Sequence, residues 1–173
     1  IANSNIGEQI FRLKMAKFCF VLVDRYFEDF AAPCVVVDNY QGGYAAAQHL
    51  ANQGRRCVGW IGELGSSTAH LRLEGFRAAL NDVGIACPRS QVQNLKLNPD
   101  APASYKLATR EAAREAVDTL IKSQPALDAI VCCNDITALS VLQRLQEKGI
   151  KVPDHMAVVG FDDNPMVAPR LPG

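Results

Sequence analysis

Short apolar runs and longer stretches of helical period take turns along this chain, and that alternation restricts its fold more than any other feature. The apolar runs are "FCFVLV" at 18–23, "CVVV" at 34–37, "RCVGWI" at 56–61, "QVQNLKL" at 91–97, "LDAIVC" at 127–132 and "MAVVGF" at 156–161. Helices are expected at 40–53, closed by Gly54, and at 68–83, with Leu73, Phe76, Leu80 and Val83 on one face. Two more are expected at 104–123 and at 135–148, the latter closed by Gly149, while "NPDAPAS" at 98–104 reads as a loop. Parallel strands need crossovers, and the helices between the runs supply them. Continuous apolar strands such as "AIVCC" suit a sheet covered on both faces. The fold class is α/β, a parallel sheet flanked by helices.

The 173 residues have room for one domain, or one and a piece. Hydrophobic residues at 49% and charged residues at 21% are the proportions of a globular chain rather than a disordered one. Eighteen Lys and Arg balance eighteen Asp and Glu, leaving no basic surplus to neutralise a nucleic-acid backbone. No apolar run approaches the roughly 18–20 residues of a membrane span, so no membrane partner is expected. "IANSNIGEQIF" has neither the basic start nor the apolar stretch of a signal peptide, and Ile1 is not an initiator methionine. The chain is expected to begin in mid-protein. Six cysteines include no C-x-x-C pair, and the adjacent Cys132 and Cys133 suit neither a disulfide nor a tetrahedral metal site. Cys19, Cys34, Cys132 and Cys133 are read as reduced thiols in buried strands of a cytoplasmic protein. His49, His70 and His155 lack ligand spacing, so no metal and no cofactor are expected.

In an open α/β sheet, ligands bind outside the carboxyl ends of the strands. Here nearly every strand delivers a polar residue to that edge: Asp24, Asp38-Asn39, Ser66-Ser67-Thr68, Asn134-Asp135 and Asp162-Asp163. Helix capping explains the hydroxyls and Asn134-Asp135 equally well. It explains Asp162-Asp163 poorly, because the proline-rich "NPMVAPRLPG" follows them. Arg72, one turn beyond Thr68, is either an exposed cation or a group held at the strand edge. The glycines of "GWIGELGSST" do not form a dinucleotide fingerprint, since Gly59 falls inside the strand and no acid ends the next one. Asp, Asn, hydroxyls and a forked Arg suit a neutral ligand rich in hydroxyls. No G-x-S-x-G and no Cys/His pair is present for nucleophilic catalysis.

"VVVDNYQGGYAAAQHLANQGRRCVGWIG", "RLEGFRAAL", "DAIVCCND", "GIKVPD" and "VVGFDD" together resemble the effector-binding domain of the lactose-repressor/galactose-repressor (LacI/GalR) family of bacterial transcription regulators. The resemblance runs over most of residues 20–165. It implies a periplasmic-binding-protein-like fold of two α/β subdomains, here with an incomplete N-terminal subdomain. Residues 1–38 would be its remnant, opening inside its third strand, and residues 39–173 would form the C-terminal subdomain. By the same resemblance Arg72 would anchor a sugar-like effector beside Thr68, with Asn134 and Asp162 bonding its hydroxyls. Tyr105 would be the stacking ring and Asp24 a further contact, although Arg110 stands where the family commonly has Gly. The implied function is non-enzymatic: the effector changes the orientation of the subdomains and so controls operator binding. DNA would be met only through an N-terminal domain absent from this chain, and the chain would form a homodimer through residues around 40–54 and the tail past Asp163. Two other readings stand beside it, a periplasmic sugar-binding protein for uptake and an α/β enzyme with Asp162 or Asp24 as general base.

Overall fold

Val58–Gly62 and Ala129–Cys132 are buried along their whole length, as continuous apolar strands inside a two-faced sheet must be. The computed structural model that shows this describes residues 4–24, 26, 31–96, 105–165 and 167, with backbone alone at 4–6 and 105–109. Along the chain come α1 (Ser4–Met15), β1 (Leu22–Val23), β2 (Cys34–Val35), α2 (Asn39–Asn52), β3 (Val58–Gly62) and α3 (Ser67–Asp82). After them come β4 (Val92–Asn94), α4 (Tyr105–Ser123), β5 (Ala129–Cys132), α5 (Asp135–Glu147) and β6 (Ala157–Val159). The main sheet has the order β4-β3-β5-β6 and is parallel throughout, with Trp60 opposite Val92 and Val131, and Ala129 opposite Ala157. β1 and β2 form a separate parallel pair. The loop expected at 98–104 lies outside the described residues.

Alternation along the strands divides the core into two layers. Val58, Trp60, Ala129, Val131 and Cys133 face α2 and α3, where they meet Leu50, Leu73, Phe76 and Leu80. Ile61, Ile130 and Cys132 face α4 and α5, against Val117, Leu120, Val141 and Leu145. Burying a side chain such as Phe76 or Leu80 contributes about 2 kcal/mol, whereas a surface pair on a helix contributes a few tenths. Packing, rather than intrinsic propensity, therefore holds α3. The starts of α2, α3 and α5 are also fixed chemically. Asp38 Oδ1 accepts from the Gln41 amide at 2.9 Å, Ser66 Oγ from Ala69 at 3.3 Å, and Asn134 Oδ1 from Thr137 at 2.9 Å.

The contact between α2 and α3 is backbone against backbone. A Cβ built on Gly43 would lie 1.9 Å from the Arg72 carbonyl oxygen, and one on Gly75 would lie 1.9 Å from that of Tyr40. On the opposite layer, ion pairs tie α4 to α5. Asp118 accepts from Arg144 Nη2 at 2.6 Å and lies 2.8 Å from Lys148 Nζ, while Glu147 takes Arg114 and Arg144. The hydrogen bonds from Arg144 and Lys148 lower the Asp118 carboxyl to about 2.

The first 38 residues depart from expectation. Among the described residues the first element is the helix α1 (Ser4–Met15), not a strand. Cys19 and Cys34 are exposed rather than buried. β1 and β2 pair only with each other among the described residues, which leaves Val23 71% and Val35 64% exposed.

Two substitutions test these contacts. Gly43→Ala gains about 1 kcal/mol of helix propensity but forces a backbone clash no rotamer relieves, for an expected net loss of about 2 kcal/mol in urea denaturation. Gly7→Ala, with nothing within 4 Å of its Cβ, is expected to stabilise instead. Asp118 keeps a depressed native value, so its stabilisation is present above the ordinary 3.8 and is lost as pH falls through about 2. Asp118→Asn should flatten that acid limb in denaturation measured at stepped pH.

Candidate functional site

β4 and β5 lie on opposite sides of β3, so the chain leaves β3 in one direction and returns on the other. A crevice opens at such a switch point, outside the carboxyl ends of the two central strands. The starts of α3 and α5 converge there, since α3 follows β3 and α5 follows β5 directly.

Arg72 occupies this point. It is 7% exposed, so the reading of it as a surface cation fails. A buried guanidinium must be paired and hydrogen-bonded, and this one is. Its Nε donates to Asn39 Oδ1 at 2.8 Å and its Nη1 to the Cys133 carbonyl oxygen. Asp162 Oδ1 lies 3.4 Å from Nη1, and the Phe161 ring centroid lies 3.5 Å from Cζ. Gly42 makes room for that ring, because a Cβ there would come within 2.5 Å of it.

The loop carrying Phe161 and Asp162 is latched by Asp135. The Asp135 amide donates to the Phe161 carbonyl at 2.9 Å, and its Oδ2 accepts from the Asn164 amide at 2.6 Å. A Cβ on Gly160 would fall 2.3 Å from Asp135 Oδ1, so a side chain there would displace this carboxylate. Asp162 and Asp163 both have positive φ, 103° and 50°, and no helix follows them among the described residues. Helix capping therefore does not account for them. Partial burial raises the Asp162 carboxyl above its ordinary value; Arg72 opposes the rise, and the charges of Asp135 and Asp24 add to it.

Asp24 ends β1 with φ 75°, near enough for its charge to act on Asp162 across the two sheets. Ser67 Oγ also donates to the Tyr26 carbonyl at 3.4 Å, so the chain after β1 meets the start of α3. Thr68 lies on the first turn of α3, its hydroxyl 3.1 Å from Ser66 Oγ. Asn134 caps α5 through Oδ1, and its side-chain amide nitrogen is not engaged in that cap. Tyr105 is the first residue of α4, and its side chain lies outside the described residues. The structure thus brings Arg72, Asp162 and Asp24 together, with Thr68 and Asn134 at the same edge.

Sequence reasoning missed Asn39, Phe161 and Asp135. Asn39 and Asp135 stood among the strand-end polar residues, where capping explained them away, and Phe161 read as the end of an apolar strand. Gly59 and Gly62 of "GWIGELG" serve packing. Gly59 faces Leu120 and Leu127, and a Cβ on Gly62 would lie 2.9 Å from Cys133 Sγ and 3.1 Å from Trp60 Nε1. Among the described residues no cluster of three His, Cys, Asp or Glu side chains is arranged to hold a metal. Nor is any described helix long and apolar enough to cross a membrane.

Residues 47–172 match the family model of the periplasmic binding protein-like domain. The chain belongs to that family. Within it the likeness is to LacI-type regulators. The HTH-type transcriptional repressor PurR of Haemophilus influenzae is 34% identical over 131 residues, 74% of this chain and 36% of that protein. The HTH-type transcriptional regulator GntR of Pseudomonas aeruginosa is 36% identical over 141 residues, 80% of this chain and 38% of that protein. Among solved structures, a sugar-binding transcriptional regulator of the LacI family from Escherichia coli, complexed with phosphate, superposes with a TM-score of 0.74 at 26% identity. That match covers 95% of this chain and 55% of the other. The chain spans little more than a third of the length of the curated relatives it matches.

The Asp162 environment has a measurable consequence. The native state holds its proton to higher pH than the unfolded chain, whose value is near 3.8. The stabilisation from this group is fully present below that value and is lost as pH rises through the raised native value. Asp162→Asn should remove this loss, so the stability of wild type relative to variant should decline with rising pH in stepped-pH urea denaturation. A difference that grows with pH would show that the Arg72 pairing, and not burial, governs the group.

Proposed function

We propose that this chain is the effector-binding part of a bacterial transcription regulator and that its effector is a small, uncharged, hydroxyl-rich molecule. Arg72 anchors the effector, Asp162, Asn134 and Thr68 bond its hydroxyls, and Asp24 approaches from the β1 side. Tyr105, at the start of α4, is the proposed stacking ring. Residues 1–38 belong to the N-terminal subdomain and 39–173 to the C-terminal one. A helix-turn-helix domain outside this chain meets DNA, two copies pair, and the protein works in the cytoplasm without catalysis.

The buried, four-sided seat of Arg72 at the switch point carries this reading. The guanidinium is held in place before any ligand arrives, and pre-organisation of that kind favours binding. The charges around it favour a neutral ligand. Asp162 already pairs with Arg72, so a carboxylate or phosphate would have to displace that carboxylate while facing Asp24 and Asp135. The relatives named above are all transcriptional regulators, which supports binding rather than turnover.

Calorimetry on the full-length gene product tests the effector class, with D-glucose, D-galactose, D-ribose and hypoxanthine set against D-gluconate and inorganic phosphate. A neutral sugar should bind tightest, and Arg72→Lys should weaken it about 10–100-fold. Tightest binding of gluconate or phosphate would overturn the neutral class, tightest binding of hypoxanthine would overturn the hydroxyl-rich class, and unchanged affinity in Arg72→Lys would overturn the site. The coding DNA upstream of Ile1 decides the regulatory half. A helix-turn-helix there supports it, and a signal peptide would make the protein a solute receptor for uptake.

A further inference from the structure

Asn39 is the first residue of α2, 3% exposed, and stands where the chain crosses from the β1–β2 pair into the main sheet. Its orientation is unambiguous, because a guanidinium only donates and the atom facing Arg72 Nε must be the amide oxygen. Its Nδ2 is then directed at the Val37 carbonyl, to which it donates at 3.0 Å. The Asn39 backbone amide donates to the same carbonyl at 2.8 Å. One side chain therefore bridges the Arg72 guanidinium and the backbone of the crossover, and both ends of its amide are used.

Asp38 makes a neighbouring but separate bond. Its carboxylate caps α2 through the Gln41 amide, so the helix start does not need the Asn39 side chain. No other described side chain is bonded to Arg72 Nε, while Nη1 has its own partners in Cys133 and Asp162. Burial makes the link sensitive to change, since an unpaired Nε–H or carbonyl there cannot turn to water.

We propose that Asn39 is a positioning residue that locks the Arg72 fork and joins it to the crossover at Val37. A change at the guanidinium then reaches the connection between the β1–β2 pair and the main sheet. The proposal rests on Arg72 as the effector anchor for its purpose, but the link itself exists or not whatever the ligand is. It can therefore be tested without one.

The experiment is ¹H–¹⁵N NMR of the chain, reading the Arg72 Nε–H signal and the backbone amides of residues 37–39 in three variants. Asn39→Asp keeps the acceptor and loses the Nδ2 donor, so the Arg72 Nε–H signal should stay slowly exchanging while the amides of 37–39 shift. Asn39→Leu removes both bonds, so that signal should broaden or exchange at least tenfold faster. Arg72→Lys keeps the charge and loses Nε, and it should shift the amides of 37–39 although residue 72 is remote in sequence. Global melting is followed in parallel. If Asn39→Asp and Asn39→Leu alter the Arg72 signal equally, in step with melting temperature, the residue is merely structural and the proposal falls. Amides of 37–39 that do not respond to Arg72→Lys would also overturn it. Failure of every compound in the calorimetric panel would count against the effector reading and leave these signals unaffected.

Discussion

A guanidinium can lie buried at a sheet edge only if its charge and its donors are answered by the protein, and the rest of this molecule is arranged around that requirement. The answers come from three separate stretches of chain. Asn39 comes from the start of α2, the Cys133 carbonyl from the end of β5, and Phe161 and Asp162 from the loop after β6. None is near Arg72 in sequence. They meet because the sheet order β4-β3-β5-β6 puts the switch point between β3 and β5, and because at Gly43 and Gly75 the backbones of α2 and α3 touch with no side chain between them. Gly43 and Gly75 fix the depth of that contact, which in turn fixes how far Asn39 can reach.

On the proposed reading, the arrangement also bears on what sort of ligand the edge would take. A lone arginine at a strand edge would be an anion site. With Asp162 paired to it and Asp24 and Asp135 acting on the same region, the positive charge is already compensated. What remains on offer is direction rather than net charge: fixed donors, acceptors and an aromatic face. A site of that kind would discriminate by the pattern of hydroxyls and by desolvation, because a partner lacking a hydroxyl leaves a polar group unmatched.

Secondary structure of residues 39–165 was readable because the apolar period switches cleanly between strand and helix and because the caps are chemically explicit. Asp38, Ser66 and Asn134 each stand one residue before the helix they start. The N-terminal stretch was less so. The runs at 18–23 and 34–37 have the composition of buried strands, yet burial depends on covering elements, and only a two-stranded pair forms here among the described residues. Composition records what a segment needs and not whether a partner is present. In the site, Arg72 and Asp162 stood out because simple roles explained them poorly. Asn39, Phe161 and Asp135 did not, because their local explanations were sufficient and their functional partners lie 25 or more residues away in sequence.

That difference follows from the physics of a switch-point site. The groups that touch a ligand are set by chemistry and leave a compositional trace at strand ends. Those that aim them are set by reach and packing depth, which exist only once helices and strands have docked. Asn39 shows both aspects in one residue. Its amide could have been spent on capping α2, as its position suggests, but Asp38 does that work and leaves the amide to span from Val37 to Arg72. Adjacent polar residues at a helix start are commonly read as alternatives for one role. Here they divide two roles, and the division places the crossover of the chain in direct hydrogen-bonded contact with the group that would hold the ligand.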